Sequence, residues 1–275
     1  VPDTAPSVTA APAHDATYDP HYFAPLFAVE DRHFWFRSRN DVIAVIVRRL
    51  TGSLPARYRV LEVGCGTGKV LQVLESVTTH GMVVGTDLFI EGLRFARRRT
   101  HVPLVQGDMH SPPFAETFDV IGLFDVLEHL PDDRQVLRDL HRMLAQGGAL
   151  LLTVPARASL WSYFDEASHH YRRYEADDLR EKLHEAGYRV EYLTSFMSVL
   201  FPMIWLGRRA ARLLNRRNKA ANVDDMAMGE WRIVPGVNAL LYRLLGLERW
   251  WLGRQRTMPV GTSPLVVARK ATTDD

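Results

Sequence analysis

Residues 60–68 read Val-Leu-Glu-Val-Gly-Cys-Gly-Thr-Gly, an apolar run that passes directly into three alternating glycines, Gly64, Gly66 and Gly68, and then into a helical pattern from Val70. Glycine allows a tight turn and a close backbone approach, and the helix that follows presents unpaired N–H groups at its start. A strand ending this way is the opening unit of a βαβ sheet that binds a ligand at its carboxyl edge. The spacing also excludes two common ligands. A dinucleotide turn needs its third glycine where Lys69 stands. A triphosphate loop needs a Lys-Ser/Thr pair, and Lys69 is followed by Val70.

Short apolar runs then alternate with helical stretches. Strands are expected at Arg59–Val63, Met82–Thr86, Val102–Gln106, Phe118–Phe124, Ala149–Val154, Tyr188–Thr194 and Pro264–Lys270. Helices are expected near Glu91–Arg98, Arg134–Leu144 and Ala176–Ala186, with Gly147 and Gly148 ending the second and Gly187 the third. Upstream lie a Pro- and Ala-rich leader and an aromatic segment leading into the apolar helix Asp41–Leu50. The stretch from Ser195 to Ser263 is too long for a bare loop and carries paired leucines, arginines and tryptophans, so it reads as a helical insertion. The expected organisation is a leader (1–20), an N-terminal helical cap (21–57), a ligand-binding core (58–195), a helical lid or substrate insertion (196–262), and a last strand with tail (263–275).

Composition narrows the function classes. In 275 residues, 34 Lys and Arg face 32 Asp and Glu, a net charge of +2 that gives no reason to expect nucleic-acid binding. The single cysteine, Cys65, excludes an internal disulfide and a multi-thiolate zinc site, and favours a reducing compartment. No lysine or arginine precedes Arg32, so the leader does not read as a signal peptide. The longest apolar run, Phe196–Gly207, is shorter than the roughly 20 residues a spanning helix needs. A cytoplasmic protein, with peripheral membrane contact as an option, is the expectation.

Three further segments follow the glycine turn in order: Gly85-Thr-Asp87, Gln106-Gly-Asp108-Met109, and Phe118 to Leu130, which contains Asp125-Val-Leu-Glu128-His129. Together these segments resemble the class I S-adenosylmethionine-dependent methyltransferases, closely over Arg59–Val154 and loosely over the rest of the sheet. The resemblance implies a doubly wound, Rossmann-like α/β fold of seven strands, the last antiparallel, with S-adenosylmethionine as cofactor. It puts Glu62, Gly64, Cys65, Gly66 and Gly68 around the methionine part, and Asp87 with Leu88 at the ribose hydroxyls. Asp108 and Met109 fall at the adenine, and Phe124 and Asp125 beneath the sulfonium. Trp35 and Arg39 of the aromatic segment are candidates to cover the cofactor and pair its carboxylate, against simple docking of a helix on the sheet.

For the chemistry, Glu128 and His129 read either as pocket architecture or as a base. The loop Asp165-Glu166-Ala-Ser-His169-His170-Tyr-Arg-Arg-Tyr174 supplies His169, His170 and Glu166. A helical loop would bring Asp165 to His169 and Glu166 to His170, yet no third clear ligand accompanies them, so no metal is expected. A hydroxyl acceptor would use a histidine as base, and a carbon acceptor a carboxylate such as Glu128 or Glu166. The insertion has no acid between Glu191 and Asp224, but contains Arg208, Arg209, Arg212, Arg216, Arg217 and Lys219 after an apolar run with Trp205. Three readings stay open for 196–219: a membrane-interface helix, a closed pocket for an isoprenoid or phenolic acceptor, or a solvated helix or dimer contact. The expected function is methyl transfer to O, N or C of a small or lipid-like acceptor. The alternative is a non-catalytic cofactor-binding or membrane-associated scaffold.

Overall fold

The computed structural model describes residues 18–109, 111–115, 117–214 and 229–271, with the side chains of 211–214 left aside. The leader up to residue 17, and Arg216, Arg217 and Lys219, lie outside the described residues.

Helices α1 (Phe23–Val29) and α2 (Phe34–Thr51) precede the sheet. Then come β1 (Arg59–Val63), α3 (Lys69–Val77), β2 (Met82–Asp87), α4 (Ile90–Ala96), β3 (Leu104–Gln106), β4 (Phe118–Phe124), α5 (Asp133–Met143) and β5 (Leu144–Thr153). The chain closes with α6 (Tyr163–Ala167), α7 (Ala176–Glu185), β6 (Tyr188–Phe196), α8 (Phe201–Leu214), α9 (Pro235–Leu252) and β7 (Ser263–Lys270). The seven strands lie in the order β3-β2-β1-β4-β5-β7-β6, with β7 antiparallel to both β5 and β6. This is the expected doubly wound sheet.

Both faces of the sheet are covered, which is why its strands are apolar throughout rather than alternating. Val60 and Leu61, neighbours on β1, belong to opposite cores: Val60 packs with α2 and α3, Leu61 with α5 and α7. Strand order reverses between β1 and β4, and the register pairs Val63 with Leu123. The glycine turn and Asp125 therefore leave the sheet side by side, at the crevice where such sheets bind ligands.

Two glycines of the turn are required by the space around them. Gly64 has φ 70°, and a Cβ there would sit 2.5 Å from Val126 Cγ2. Gly68 has φ 75°, and a Cβ there would meet the Ala96 backbone at 2.7 Å, so α3 can start only against a bare backbone.

Gly147 and Gly148 do not end α5 as expected. The helix stops at Met143 and β5 begins at once; Phe118 pairs with Leu144 and Val120 with Ala149, so a bulge at 145–148 absorbs the glycines. Gly147 takes φ 69° inside that bulge.

The insertion packs against the N-terminal helices. Its ends are pinned by Thr262 N–H donating to Phe196 O at 3.0 Å. Asn238 on α9 accepts from Phe34 N–H at 2.8 Å, at the start of α2, and Tyr242 donates to Asp41 at 2.7 Å. Leu245 and Leu252 complete the core beneath α2.

Candidate active site

A cavity of about 450 Å³ opens at the carboxyl ends of β1, β2 and β4. Its lining includes Trp35, Arg39, Glu62, Gly64, Cys65, Gly66, Asp87, Leu88, Asp108, Met109, Phe124 and Asp125, twelve of the thirteen positions expected to surround the cofactor. Gly68, the thirteenth, lies one step behind the wall, where it shapes the turn. Of the five candidate bases, Glu128, His129 and His170 line the cavity. His169 and Glu166 are exposed and outside the lining.

The end of β2 fixes Asp87. One carboxylate oxygen accepts from Gly66 N–H at 2.7 Å and the other from Phe89 N–H at 2.8 Å, so the acid holds the glycine turn while facing the cavity. Burial pushes its carboxyl up to about 6. Glu62 is also buried, with one oxygen lacking any hydrogen-bond partner. Burial, with Asp87 and Glu30 nearby, pushes it well above the ordinary range against the pull of Arg39. An unsatisfied buried carboxyl aimed at a cavity calls for a polar ligand. The thiol of Cys65 is pushed up by the same burial and by the carboxylates of Asp87 and Glu62, which disfavours the thiolate.

Arg39 donates to Asp125 at 2.6 Å, and Asp125 sits at φ 56°, a left-handed turn at the end of β4. Its guanidinium thus reaches the cavity wall already engaged with a carboxylate. The cap is locked onto the glycine turn by Glu30, which accepts from Thr67 and from Arg99, each at 2.5 Å. Sequence reasoning missed Glu30: the acid pair Glu30-Asp31 after an apolar helix carries no local signal, and the partners of Glu30 are 37 and 69 residues away.

The loop after β5 does not form the pairs that a continuous helix would give. Helix α6 is only five residues long, and His169 at φ 53° reverses the chain, so Asp165 meets His170 instead of His169. The Asp165 to His170 Nδ1 distance is 2.9 Å, and Arg173 grips both oxygens of Asp165 at 2.7 and 3.0 Å. Asp165 also closes the capping box of α6 with Ser162. Burial would raise the Asp165 carboxyl, but the His170 hydrogen bond and the Arg173 charge hold it down to about 2. The loop is tied to the short helical turn Leu127–His129 after β4 by Tyr171 N–H donating to Glu128 O at 2.8 Å. Burial, with Asp125 nearby, pushes the Glu128 carboxyl well above its usual range. His129 and His170 meet edge to face, with ring centroids 4.7 Å apart. One ligand atom each from Glu128, His129 and His170 lie within 4.8 Å of one another, a third partner for a divalent ion that the sequence did not reveal.

The same lining carries the apolar side chains Leu160, Phe164, Leu200, Ile204 and Trp231, with Arg173 and Arg208 among them.

Comparisons with known proteins identify the family. A family profile described as a methyltransferase domain matches residues 35–193, more than half of the chain. A Mycolicibacterium smegmatis protein named as a probable S-adenosylmethionine-dependent methyltransferase is 30% identical over 165 residues, 58% of this chain and 62% of its own length. A ubiquinone biosynthesis O-methyltransferase of Aliivibrio fischeri is 37% identical over 98 residues, 33% of this chain and 41% of its own. The chain thus spans about three fifths or less of the length of these relatives. Among solved structures, phosphoethanolamine N-methyltransferase 2 of Haemonchus contortus, with S-adenosyl-L-methionine bound, superposes with a TM-score of 0.54 at 18% identity, over 85% of this chain and 53% of its own. The chain belongs to the methyltransferase domain family, within the class I S-adenosylmethionine-dependent methyltransferases.

Proposed function

We propose that this protein transfers the methyl group of S-adenosylmethionine to a hydroxyl of a small, largely apolar acceptor of phenolic or quinol type. The observation carrying the reading is one cavity lined both by the carboxylates and glycine turn, Glu62, Gly64, Gly66, Asp87 and Asp108, and by the apolar side chains Leu160, Phe164, Leu200, Ile204 and Trp231, with His170, held by Asp165, on the same lining.

The carboxylates and glycine turn fit the cofactor. Asp87 offers a carboxylate to two ribose hydroxyls, Asp108 and Met109 form the adenine end, and the unsatisfied oxygen of Glu62 faces the methionine end. When bound, S-adenosylmethionine supplies an electrophilic methyl on a cationic sulfur. The chain's own work is to align the acceptor with it and keep water out.

Because Asp165 stays ionised, it accepts a hydrogen bond from His170 Nδ1–H, which fixes the tautomer and leaves Nε2 with the lone pair. His170 then accepts the acceptor's hydroxyl proton as the oxygen attacks. Glu128, pushed towards its neutral form, serves as a hydrogen-bonding wall and not as the base.

His170→Ala is expected to lower kcat by about 10²–10⁴ while the affinity for S-adenosylmethionine is unchanged. A chelator leaves the parent's activity intact; strict dependence on an added divalent ion would instead assign Glu128, His129 and His170 to a metal. Arg208 is pressed downward by burial and by Arg173, and donates to the Leu160 carbonyl in the apolar lining. An acceptor ending in a carboxylate or phosphate answers that charge. With such an acceptor, Arg208→Ala should raise KM about tenfold with little change in kcat. The same reading takes the acceptor from a lipid phase, with peripheral membrane contact near 196–219.

A further inference from the structure

We infer that α8 and α9 form a docking face for an anionic lipid bilayer. The surface is named by two apolar stripes that no part of the described chain covers. On α9, Val237, Leu240, Leu244 and Leu247 recur at helical spacing and are all exposed, Leu247 at 70%. On and just before α8, Val199, Met203 and Leu206 repeat the pattern, with Met203 and Leu206 each 59% exposed. The opposite faces of the same helices are used inside the protein: Leu245, Glu248 and Leu252 are buried, while Leu200 and Ile204 line the cavity. Both helices are therefore apolar on two sides, one more than packing needs.

The segments that carry the two stripes are tied together. Glu248 on α9 accepts from Ser198 N–H at 2.9 Å, which joins the helices beside Leu247 and Val199.

Charge selects the occupant. Among the described residues from 197 to 257, Glu230 and Glu248 are the acids, and Glu248 is buried. Exposed arginines at 209, 232, 243, 254 and 256 give the face a positive excess, while Arg208 lines the cavity and Arg249 is paired with Asp41. Arg254 stacks over Trp250 at 3.8 Å and Arg256 over Trp251 at 4.5 Å, pairs suited to the boundary between headgroups and acyl chains. A second copy of this chain would bring arginine against arginine, whereas anionic headgroups neutralise them. No described helix is long and apolar enough to cross a membrane, so the helices lie in the interface. Since Ile204 lies on α8 and Leu200 just before it, docking of the exposed stripe puts these cavity-lining side chains close to the lipid. Only that last step rests on the lipid-like acceptor proposed above; docking itself does not.

The test is co-sedimentation of the full chain with phosphatidylcholine vesicles, with and without about 30 mol% phosphatidylglycerol. The parent should bind the anionic vesicles and lose binding in high salt, and Leu240→Ser/Leu247→Ser should weaken the partition at least about tenfold. These side chains are exposed and outside the cavity, so thermal stability and S-adenosylmethionine affinity of the variant should match the parent's. Failure of the parent to bind the anionic vesicles overturns the proposal. So does a parent that sediments as a dimer by analytical ultracentrifugation while the double variant is a monomer. Neither outcome touches methyl transfer, which needs no vesicle to be measured.

Discussion

Asp87→Ala is expected to weaken S-adenosylmethionine binding by about a hundredfold or more, read by isothermal titration calorimetry. The variant removes a carboxylate that can accept from two ribose hydroxyls and that also holds Gly66 N–H at 2.7 Å. Each charge-assisted bond contributes about 1.5–3 kcal/mol, so two of them account for the expected loss. The pH dependence follows from the same group. Its carboxyl is raised to about 6, so it is ionised at pH 7.5 and mostly protonated at pH 5. Parent affinity should be flat above pH 7 and fall as the pH drops through about 6, as the acceptor oxygen gains a proton. In Asp87→Asn, weak from the start, that fall should disappear. Normal affinity in Asp87→Ala would mean that the ribose lies elsewhere.

The second large effect concerns the fold around the acceptor. Asp165 is fully buried and accepts from His170, Arg173 and the Ser162 backbone. Asp165→Ala leaves the Arg173 guanidinium, itself 6% exposed, buried with its main counter-charge gone. Breaking a buried pair from one side costs about 3–5 kcal/mol, and chemical denaturation should show a loss of that order together with a lowered Tm. The sign with pH is fixed by the direction of the shift. The carboxyl moves from 3.8 down to about 2 on folding, so its stabilisation is present above pH 4 and lost as the pH falls from about 4 through 2. The parent should lose this acid limb on titration, and the variant should lack it. A variant as stable as the parent would show that Asp165 and Arg173 are solvated in the folded protein.

The sheet was legible because parallel strands buried on both faces must be short apolar runs, and because three glycines between a strand and a helix leave few alternatives. Asp87, Asp108 and Asp125 were legible for a related reason: each follows a strand end, and strand ends converge on one crevice. The acceptor side was not legible to the same degree. Reading Asp165 with His169 assumed a continuous helix, whereas the left-handed backbone at His169 turns His170 inward, and a non-glycine residue at φ 53° announces itself weakly in sequence. The glycine pair at 147–148 misled in the same way, since a bulge and a helix stop use the same residue. Glu30 reaches the site only through packing across the chain, which periodicity cannot register. The basic insertion was visible as a charge pattern, but which side of α8 faces the cavity and which faces outward needed the structure.

The central claim is methyl transfer, and the direct measurement is incubation of the protein with methyl-labelled S-adenosylmethionine and a panel of quinol, phenolic and isoprenoid acceptors. Release of S-adenosylhomocysteine is followed beside the mass of the extracted acceptors. The account predicts that the parent adds one labelled methyl to a hydroxyl acceptor in step with S-adenosylhomocysteine formation, and that His170→Ala binds S-adenosylmethionine but forms little of either product. Tight binding of S-adenosylmethionine by the parent, with no S-adenosylhomocysteine formed from any acceptor, would contradict it and point to a scaffold that holds the cofactor without using it.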